Sequence, residues 1–251
     1  MKYQIKQLGL GGILDQAISL LRNHFGLLFG IVAATIIPFQ AVLGLVQYSI
    51  ITGGDLQTAV MVGSLGSIFI GLPLALFVNA AVIHAVASLY LSRPTTIGEC
   101  FSHGSRRVLA LLGTFILMML AIMGGMILLI IPGILFAFWF MLAQHVTVLE
   151  GSAGSAALGR SKALMKGNIG TGFVLGLVVG LINVGLAMGA TFIPQPHAQI
   201  VVSAVIQGIS TLLATCAMVV FYFSCRCKVE NFDLQVLADA VGADADVQPV
   251  E

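Results

Sequence analysis

Charged side chains are scarce in this sequence: only 8% of its 251 residues are Asp, Glu, Lys or Arg. Soluble domains carry roughly 25% charged residues, because their surfaces must face water. A chain with so few charges, 59% hydrophobic residues and a mean hydropathy of +1.06 is typical of a protein that faces lipid. The net charge is only +1, so composition offers no electrostatic basis for binding nucleic acid.

The sequence also lacks the residue patterns of hydrolases and metal sites. It contains no HExxH, GxSxG or CxxC motif, and no acid falls inside a predicted membrane span. The five histidines are scattered singly, and the four cysteines are not spaced as a ligand set, so we expect them only to pack. These cysteines are Cys100, Cys216, Cys225 and Cys227. We therefore predict a protein with no catalytic residue, no metal site and no cofactor.

Long uncharged apolar runs predict six transmembrane helices, since each span needs about 20 apolar residues. The run from Val108 to Leu149 is too long for one helix, and Pro132–Gly133 is expected to divide it. Pro38 and Pro73 are expected to kink the first two spans. The spans cover about residues 25–51, 58–91, two within 108–149, 169–193 and 200–225.

All eleven basic side chains fall on one side of this six-span arrangement. They are Lys2, Lys6, Arg22, Arg93, Arg106, Arg107, Arg160, Lys162, Lys166, Arg226 and Lys228. The loops on the other side contain no Lys or Arg, and a five- or seven-span arrangement would break the segregation. By the positive-inside rule, the sequence predicts a multi-pass protein of the cytoplasmic (inner) membrane with both termini cytoplasmic.

Short amphipathic helices are predicted on the cytoplasmic side, ahead of spans one, three and five. On a helix from Ser152 to Lys166, one arc collects the apolar positions and Ser161, and the basic residues fall outside it. That arc contains Ala157, Leu158, Ser161, Leu164 and Met165. The stripe ahead of span one contains Ile13, Leu14, Ala17, Leu20 and Leu21. Ahead of span three, a Thr96-x-x-Glu99 capping box opens a helix whose apolar face contains Ile97, Cys100, Phe101 and Val108.

The fold class predicted from these features is an all-α integral membrane protein, built as three hairpins that each follow an amphipathic helix. The six-span domain covers residues 1–229, with units at about 9–91, 95–149 and 152–228. The remaining residues, 230–251, form a cytoplasmic tail with a short helix from Phe232 to Val241, ended by Gly242, and a disordered acidic end.

Basic residues at the edges of amphipathic helices are candidates for contact with anionic lipid headgroups, since such helices can lie in the membrane interface. The candidates are Arg22, Arg106, Arg107, Arg160, Lys162 and Lys166. The alternative interpretation is that these residues serve only to fix the topology.

Polar residues inside the spans are few, and they are expected either to join helices or to line a solute cavity. They are Gln40, Gln47, Asn79, His84, Gln144, His145, Asn183 and Gln207, and the candidates for contacts within the membrane are Asn79, Asn183, Gln207, Gln144 and His145. Span five also carries glycines at small-xxx-small spacing, which permit close helix packing within the chain or with a second copy or another membrane protein. These are Gly172, Gly176, Gly180, Gly185 and Gly189.

Short motifs follow spans four and six. They are Glu150-Gly151 with Ala157-Leu158-x-Arg160-Ser161-x-x-Leu164-x-Lys166-Gly167, and Phe232-Asp233-Leu234 with Leu237-Ala238. Together with the Pro132-Gly133 turn, they resemble the membrane domain fused to some bacterial glycerophosphoryl diester phosphodiesterases and its stand-alone six-span relatives, over about residues 10–240. The resemblance implies that the phosphodiesterase chemistry belongs to a separate soluble domain, so no catalytic residue is carried over.

Two functions are compatible with these features. The first is a non-enzymatic membrane component that supports lipid or envelope homeostasis through its basic amphipathic helices. The alternative is a small-solute transporter or channel with a cavity near Asn79, Asn183 and Gln207.

Overall fold

The computed structural model describes Tyr3, residues 5–235 and Ala238, and within these residues it contains helices and no β-strand. The helices are α1 (Leu10–Asn23), α2 (Phe25–Ala33), α3 (Ile36–Thr52), α4 (Leu56–Gly66), α5 (Leu72–Tyr90), α6 (Ile97–Leu128), α7 (Ile130–Trp139), α8 (Ala143–Leu149), α9 (Ser155–Met165), α10 (Ile169–Ala190) and α11 (Pro196–Glu230). A π-helical turn, Ser67–Gly71, joins α4 to α5.

Six helical segments are long and apolar enough to cross a membrane, which confirms the predicted number of spans. They are Phe25–Thr52, Leu56–Tyr90, Ile97–Leu128, Ile130–Leu149, Ile169–Ala190 and Pro196–Glu230. Many of their large apolar side chains point away from the protein; Ile127, for example, is 83% exposed. Such a surface suits lipid and not water, so the chain is a multi-pass membrane protein.

The first two spans are distorted just ahead of their prolines, as expected. Proline lacks an N–H donor, and its ring clashes with the carbonyl group four residues earlier. Ahead of Pro38 the helix breaks at Ala34–Thr35, where the Thr35 hydroxyl donates to the Ile31 carbonyl at 2.7 Å. Ahead of Pro73 the chain forms its π-helical turn.

The break between spans three and four lies earlier than predicted. It occurs at Leu129, whose backbone is extended, while Pro132 and Gly133 lie within the first turn of α7. The same proline geometry explains the shift. The ring of Pro132 clashes with the carbonyl group four positions earlier, that of Leu128, which is the last residue of α6. Gly133 packs against Met126 of α6, so its role is to permit close approach of the two helices and not to form the turn.

The three predicted cytoplasmic helices have different outcomes. Two of them, α1 and α9, are separate helices. The segment opened by Thr96 is instead the first part of the 32-residue α6, although both hydrogen bonds of the predicted capping box are present. No proline interrupts this segment, and a nucleated helix propagates readily.

The apolar faces of α1 and α9 are buried against the rest of the protein. The five residues predicted for the α9 face are its five buried residues, and Ile13, Ala17 and Leu20 of α1 are fully buried. Helical periodicity therefore predicts which residues form these apolar faces, but the expectation that the faces lie on lipid was wrong. An apolar stripe packs on a helix bundle as readily as on acyl chains.

The largest buried core lies at the end of the bundle that carries the basic residues, hereafter the basic end. Tyr90, Tyr222 and Phe221 are almost fully buried there, and the C-terminal half of α11 passes through the centre. Beyond α11, residues 232–235 continue as a helical turn, and Arg226 lies over the Phe232 ring at 4.1 Å. The remainder of the predicted tail helix, including Val241 and Gly242, lies outside the described residues.

Candidate functional site

A cavity of about 780 Å³ lies between α3, α5, α6, α8 and α11, and the π-helical turn also contributes to its wall. Its apolar wall includes Phe39, Leu43 and Phe115. Its polar lining consists of Gln40, Gln47, Ser67, Asn79, Gln144, Ser203, Gln207 and Thr211. No Asp, Glu, Lys or Arg is among the described lining residues, so the polar groups are neutral amides and hydroxyls.

Two of the residues that line the cavity form a hydrogen bond between helices. Asn79 of α5 donates from Nδ2 to Oε1 of Gln144 in α8 at 2.5 Å. Both side chains are half-buried. Because this pair joins two predicted site residues 65 positions apart, it fixes how α8 is rotated against α5.

The position of α8 depends on a buried serine of α9. The chain turns between Trp139 and Ala143, which leaves backbone groups without helical partners. The Ser161 hydroxyl donates to the Trp139 carbonyl at 2.7 Å and accepts from the Leu142 amide at 3.2 Å. Ser161 was predicted to lie on the apolar face of α9, and the structure shows that it satisfies this turn.

Two glutamines in the cavity have no hydrogen bond to any described residue through their side chains, namely Gln40 and Gln207. A third, Gln47, donates to the Ala59 carbonyl of α4 at 3.4 Å. Both residues are also exposed. Their amides are therefore the groups in this cavity most available to a ligand.

The structure brings together only part of the predicted polar set. Asn79, Gln144 and Gln207 line the cavity, whereas Asn183 lies elsewhere and donates to the Val179 carbonyl of its own helix at 2.8 Å. His145 points to a second, smaller cavity on the other side of α8. The expectation that Asn183 shares a cavity with Asn79 and Gln207 was wrong, because its position on α10 faces away from α3 and α5.

Sequence reasoning did not select Gln40, Gln47, Ser203 and Thr211 for the site. Their spacing carried a signal, since Gln40 and Gln47 lie seven residues apart on α3. Ser203, Gln207 and Thr211 recur every four residues on α11. Each set therefore occupies one helix face, and the two faces meet at the cavity.

At the basic end, Arg160 is held by two carboxylates. Its Nε donates to Oε2 of Glu150 at 2.8 Å, its Nη2 donates to Oε1 of the same residue at 3.1 Å, and it also pairs with Glu230. The hydrogen bonds that Glu230 and Glu150 accept raise the pKa of Arg160 above its ordinary value. Tyr222 donates to Glu150 at 2.6 Å, and Arg226 pairs with Glu230 at 3.0 Å. We call this set the charged cluster.

The loops around α9 allow the cluster to form. Gly151, Gly154 and Gly167 have φ values of 77°, 60° and 79°, in the left-handed region that favours glycine. They turn the chain sharply before and after α9, which places Arg160 against Glu150. The nineteen residues between spans four and five thus pack onto the bundle and are not a loose connection.

The six candidate headgroup contacts separate into two groups. Arg160 is paired within the protein, and the guanidinium of Arg107 lies against Gly151. The other four, Arg22, Arg106, Lys162 and Lys166, are exposed, with Lys162 over the Trp139 ring at 4.1 Å. Their contact with lipid stays a prediction.

The glycines of α10 also fall into two groups, those packed within the chain and those that are exposed. Gly172 is buried against Met165, Met141 and Phe221, and Gly176 faces Met141. Gly180, Gly185 and Gly189 are exposed, with open space where a Cβ would be. Packing within the chain accounts for the first two, and a second copy or another membrane protein stays a predicted partner for the rest.

Comparison with known proteins finds a family model that matches part of the chain. Residues 125–248 match a family described as a domain of unknown function (DUF8558). No curated protein and no solved structure matches the chain. The matched region contains α7 to α11, and so it contributes Gln144 and Gln207 to the cavity but not Asn79.

Proposed function

We propose that this protein is a non-enzymatic small-solute transporter or channel of the cytoplasmic membrane, with its binding site in the 780 Å³ cavity. The observation that carries the proposal is the convergence of neutral polar side chains from four helices on one cavity within the spans. Polar groups are costly in a membrane and tend to persist where they serve a substrate.

The lining defines the chemical class of the solute. Amides and hydroxyls donate and accept hydrogen bonds, and no charged side chain among the described lining residues would balance an ion. The apolar wall formed by Phe39, Leu43 and Phe115 suits a carbon skeleton. A small uncharged polyol or amide fits this combination.

Transport of such solutes can be measured in proteoliposomes by stopped-flow swelling. We expect the wild-type protein to accelerate entry of at least one member of a panel of glycerol, erythritol, ribitol, urea and acetamide. Replacing both unpaired amides, Gln40→Leu with Gln207→Leu, should lower that rate at least tenfold, because the solute loses its hydrogen-bonding partners.

The matched control is Asn183→Leu, which removes an amide of the same bundle that lies outside the cavity. Its swelling rate should equal that of the wild type. Swelling no faster than in protein-free liposomes for the whole panel would contradict the proposal.

A second function, contact with anionic lipid, is favoured by the exposure of Arg22, Arg106, Lys162 and Lys166 at the basic end. Such contact would support lipid or envelope homeostasis, in line with the resemblance to the phosphodiesterase-associated membrane domain. Native mass spectrometry tests it. The double variant Lys162→Gln/Lys166→Gln should retain less phosphatidylglycerol than the wild type, and equal retention would contradict this role.

The proposal also includes the orientation of the protein in the membrane. The segregation of Lys and Arg supports cytoplasmic termini, with the basic end in the cytoplasm. The cavity lies toward the opposite half of the bundle, because Gln47 and Ser203 occupy the halves of α3 and α11 away from that end. A solute would therefore enter the cavity from the non-cytoplasmic side.

A further inference from the structure

His145 is a buried histidine without hydrogen-bonding partners. It lies in α8, its relative exposure is 7%, and neither Nδ1 nor Nε2 has a partner among the described residues. Buried polar groups in proteins are nearly always hydrogen-bonded, so an imidazole with two unpaired nitrogens needs an explanation. An imidazole nitrogen without a hydrogen bond is also able to coordinate a metal ion.

Three thioethers line the same cavity as His145. This cavity, of about 380 Å³, lies between α6, α7, α8, α10 and α11 and is separate from the proposed solute site. Met118 of α6, Met141 of the turn before α8 and Met218 of α11 reach it from three different elements. The rest of its lining is apolar apart from Gln144.

Among the described residues, one other polar side chain lines this cavity. It is Gln144, whose Oε1 accepts a hydrogen bond from Asn79 on the side of the larger cavity. The His145 imidazole and the Gln144 amide are therefore the polar side-chain groups in this lining.

We propose that His145, Met118, Met141 and Met218 form a binding site for a soft monovalent metal ion, namely Cu(I) or its analogue Ag(I). Thioether ligands select Cu(I), whereas Mg²⁺, Ca²⁺ and Mn²⁺ prefer oxygen ligands, which this cavity does not offer as carboxylates. A single positive charge is also the least costly to bury without an acidic side chain.

Within the described residues, no group of three or more His, Cys, Asp or Glu side chains lies close enough to hold a metal. The proposed site depends instead on three methionines and one imidazole. The proposal is independent of the proposed solute transport, because it uses a different cavity and different side chains.

The test is binding of Ag(I) to the purified full chain in detergent, followed by competition for Cu(I) with a chelator under reducing conditions. The wild type should bind one ion more tightly than His145→Leu, and more tightly than the triple variant Met118→Leu/Met141→Leu/Met218→Leu, by at least tenfold. Leucine and methionine have similar volumes, so the triple variant should fold.

Matched controls come from elsewhere in the spans. Met61, Met123 and Met188 are 59%, 57% and 60% exposed and lie outside the cavity, so their triple replacement by leucine should leave the affinity unchanged. Each protein also carries a Cys→Ala replacement at its four cysteines, which removes thiol binding of Ag(I).

A second measurement does not depend on the His145 and methionine variants being stable. With [methyl-¹³C]methionine in the chain whose four cysteines are replaced by alanine, Ag(I) should shift three of the ten methyl signals, those of Met118, Met141 and Met218. Two results would overturn the proposal: no methyl shift at one equivalent of Ag(I), or equal Ag(I) affinity of the wild type and the triple thioether variant.

Discussion

The two ends of this helix bundle are built differently. At the basic end, α1 and α9 pack on α11, α8 packs on α9, and the charged cluster joins Glu150, Arg160 and Glu230. Toward the opposite end, large apolar side chains point outward, and the polar cavity lies between α3, α5 and α11. The same chain therefore has a tightly packed half and an open half.

The two halves differ in what surrounds their side chains, which is protein at the basic end and lipid toward the opposite end. At the basic end, short helices cover one another, and Glu150, Arg160 and Ser161 find partners within the protein. In the open half, lipid replaces protein around the spans, and amides such as Gln40 and Gln207 have no described partner.

The largest expected effect lies in the packed half, where Glu150→Ala would break the charged cluster. Removing one member of a buried ion pair costs about 3–5 kcal/mol, and we expect about 2–3 kcal/mol because Glu150 and Arg160 are partly exposed. The midpoint of thermal unfolding in detergent should fall by several degrees. The exposed Asp15→Asn is the control and should leave the midpoint unchanged; equal midpoints for all three proteins would contradict the distinction between the halves.

A smaller effect is expected for Asn79 and Gln144, the hydrogen-bonded pair in the wall of the cavity. A double-mutant cycle with Asn79→Leu and Gln144→Leu should give a coupling of about 0.6 kcal/mol, the average for such pairs in membrane proteins. Unfolding in SDS–detergent mixtures measures it. A coupling as large as the cost of Glu150→Ala would show that the cavity half is as rigid as the packed half.

The smallest effect concerns Asp55, which caps α4 at the opposite end. Its carboxylate accepts hydrogen bonds from the hydroxyl of Thr58 at 2.5 Å and the amide of Thr58 at 2.9 Å, and these bonds lower its pKa. The stabilisation is therefore complete above the ordinary pKa of aspartate and is lost as the pH falls through the lowered value. The protection of the Thr58 amide, relative to exchange in an unstructured peptide at the same pH, should fall over that acidic range in the wild type but not in Asp55→Asn, and pH-independent protection in the wild type would contradict the cap.

Several features of the fold could be predicted from the sequence. Uncharged runs determined the six spans, because length and hydropathy are properties of the chain alone. Helical periodicity identified the buried face of α9 residue by residue. Proline positions predicted where the first two spans are distorted, although Pro132 breaks the chain at Leu129 and not at itself.

Other features depend on how the helices rotate against each other. An apolar stripe does not indicate whether protein or lipid covers it, so the burial of Ala157 and Leu164 could not be foreseen. Asn79 and Gln207 converge whereas Asn183 does not, and only the packing of α10 decides this. A role of the methionines as ligands could not be predicted from the sequence, because methionine is an ordinary apolar residue in a membrane span.

The most direct test of the account is which side of the membrane each end faces. Single cysteines introduced by Lys166→Cys at the basic end and Gln195→Cys at the opposite end, in a chain without its native cysteines, can be labelled with a membrane-impermeant maleimide in intact bacterial cells. The account predicts that the cysteine at position 195 is labelled at once and that the one at 166 is labelled only after permeabilisation. Labelling of position 166 in intact cells would contradict it.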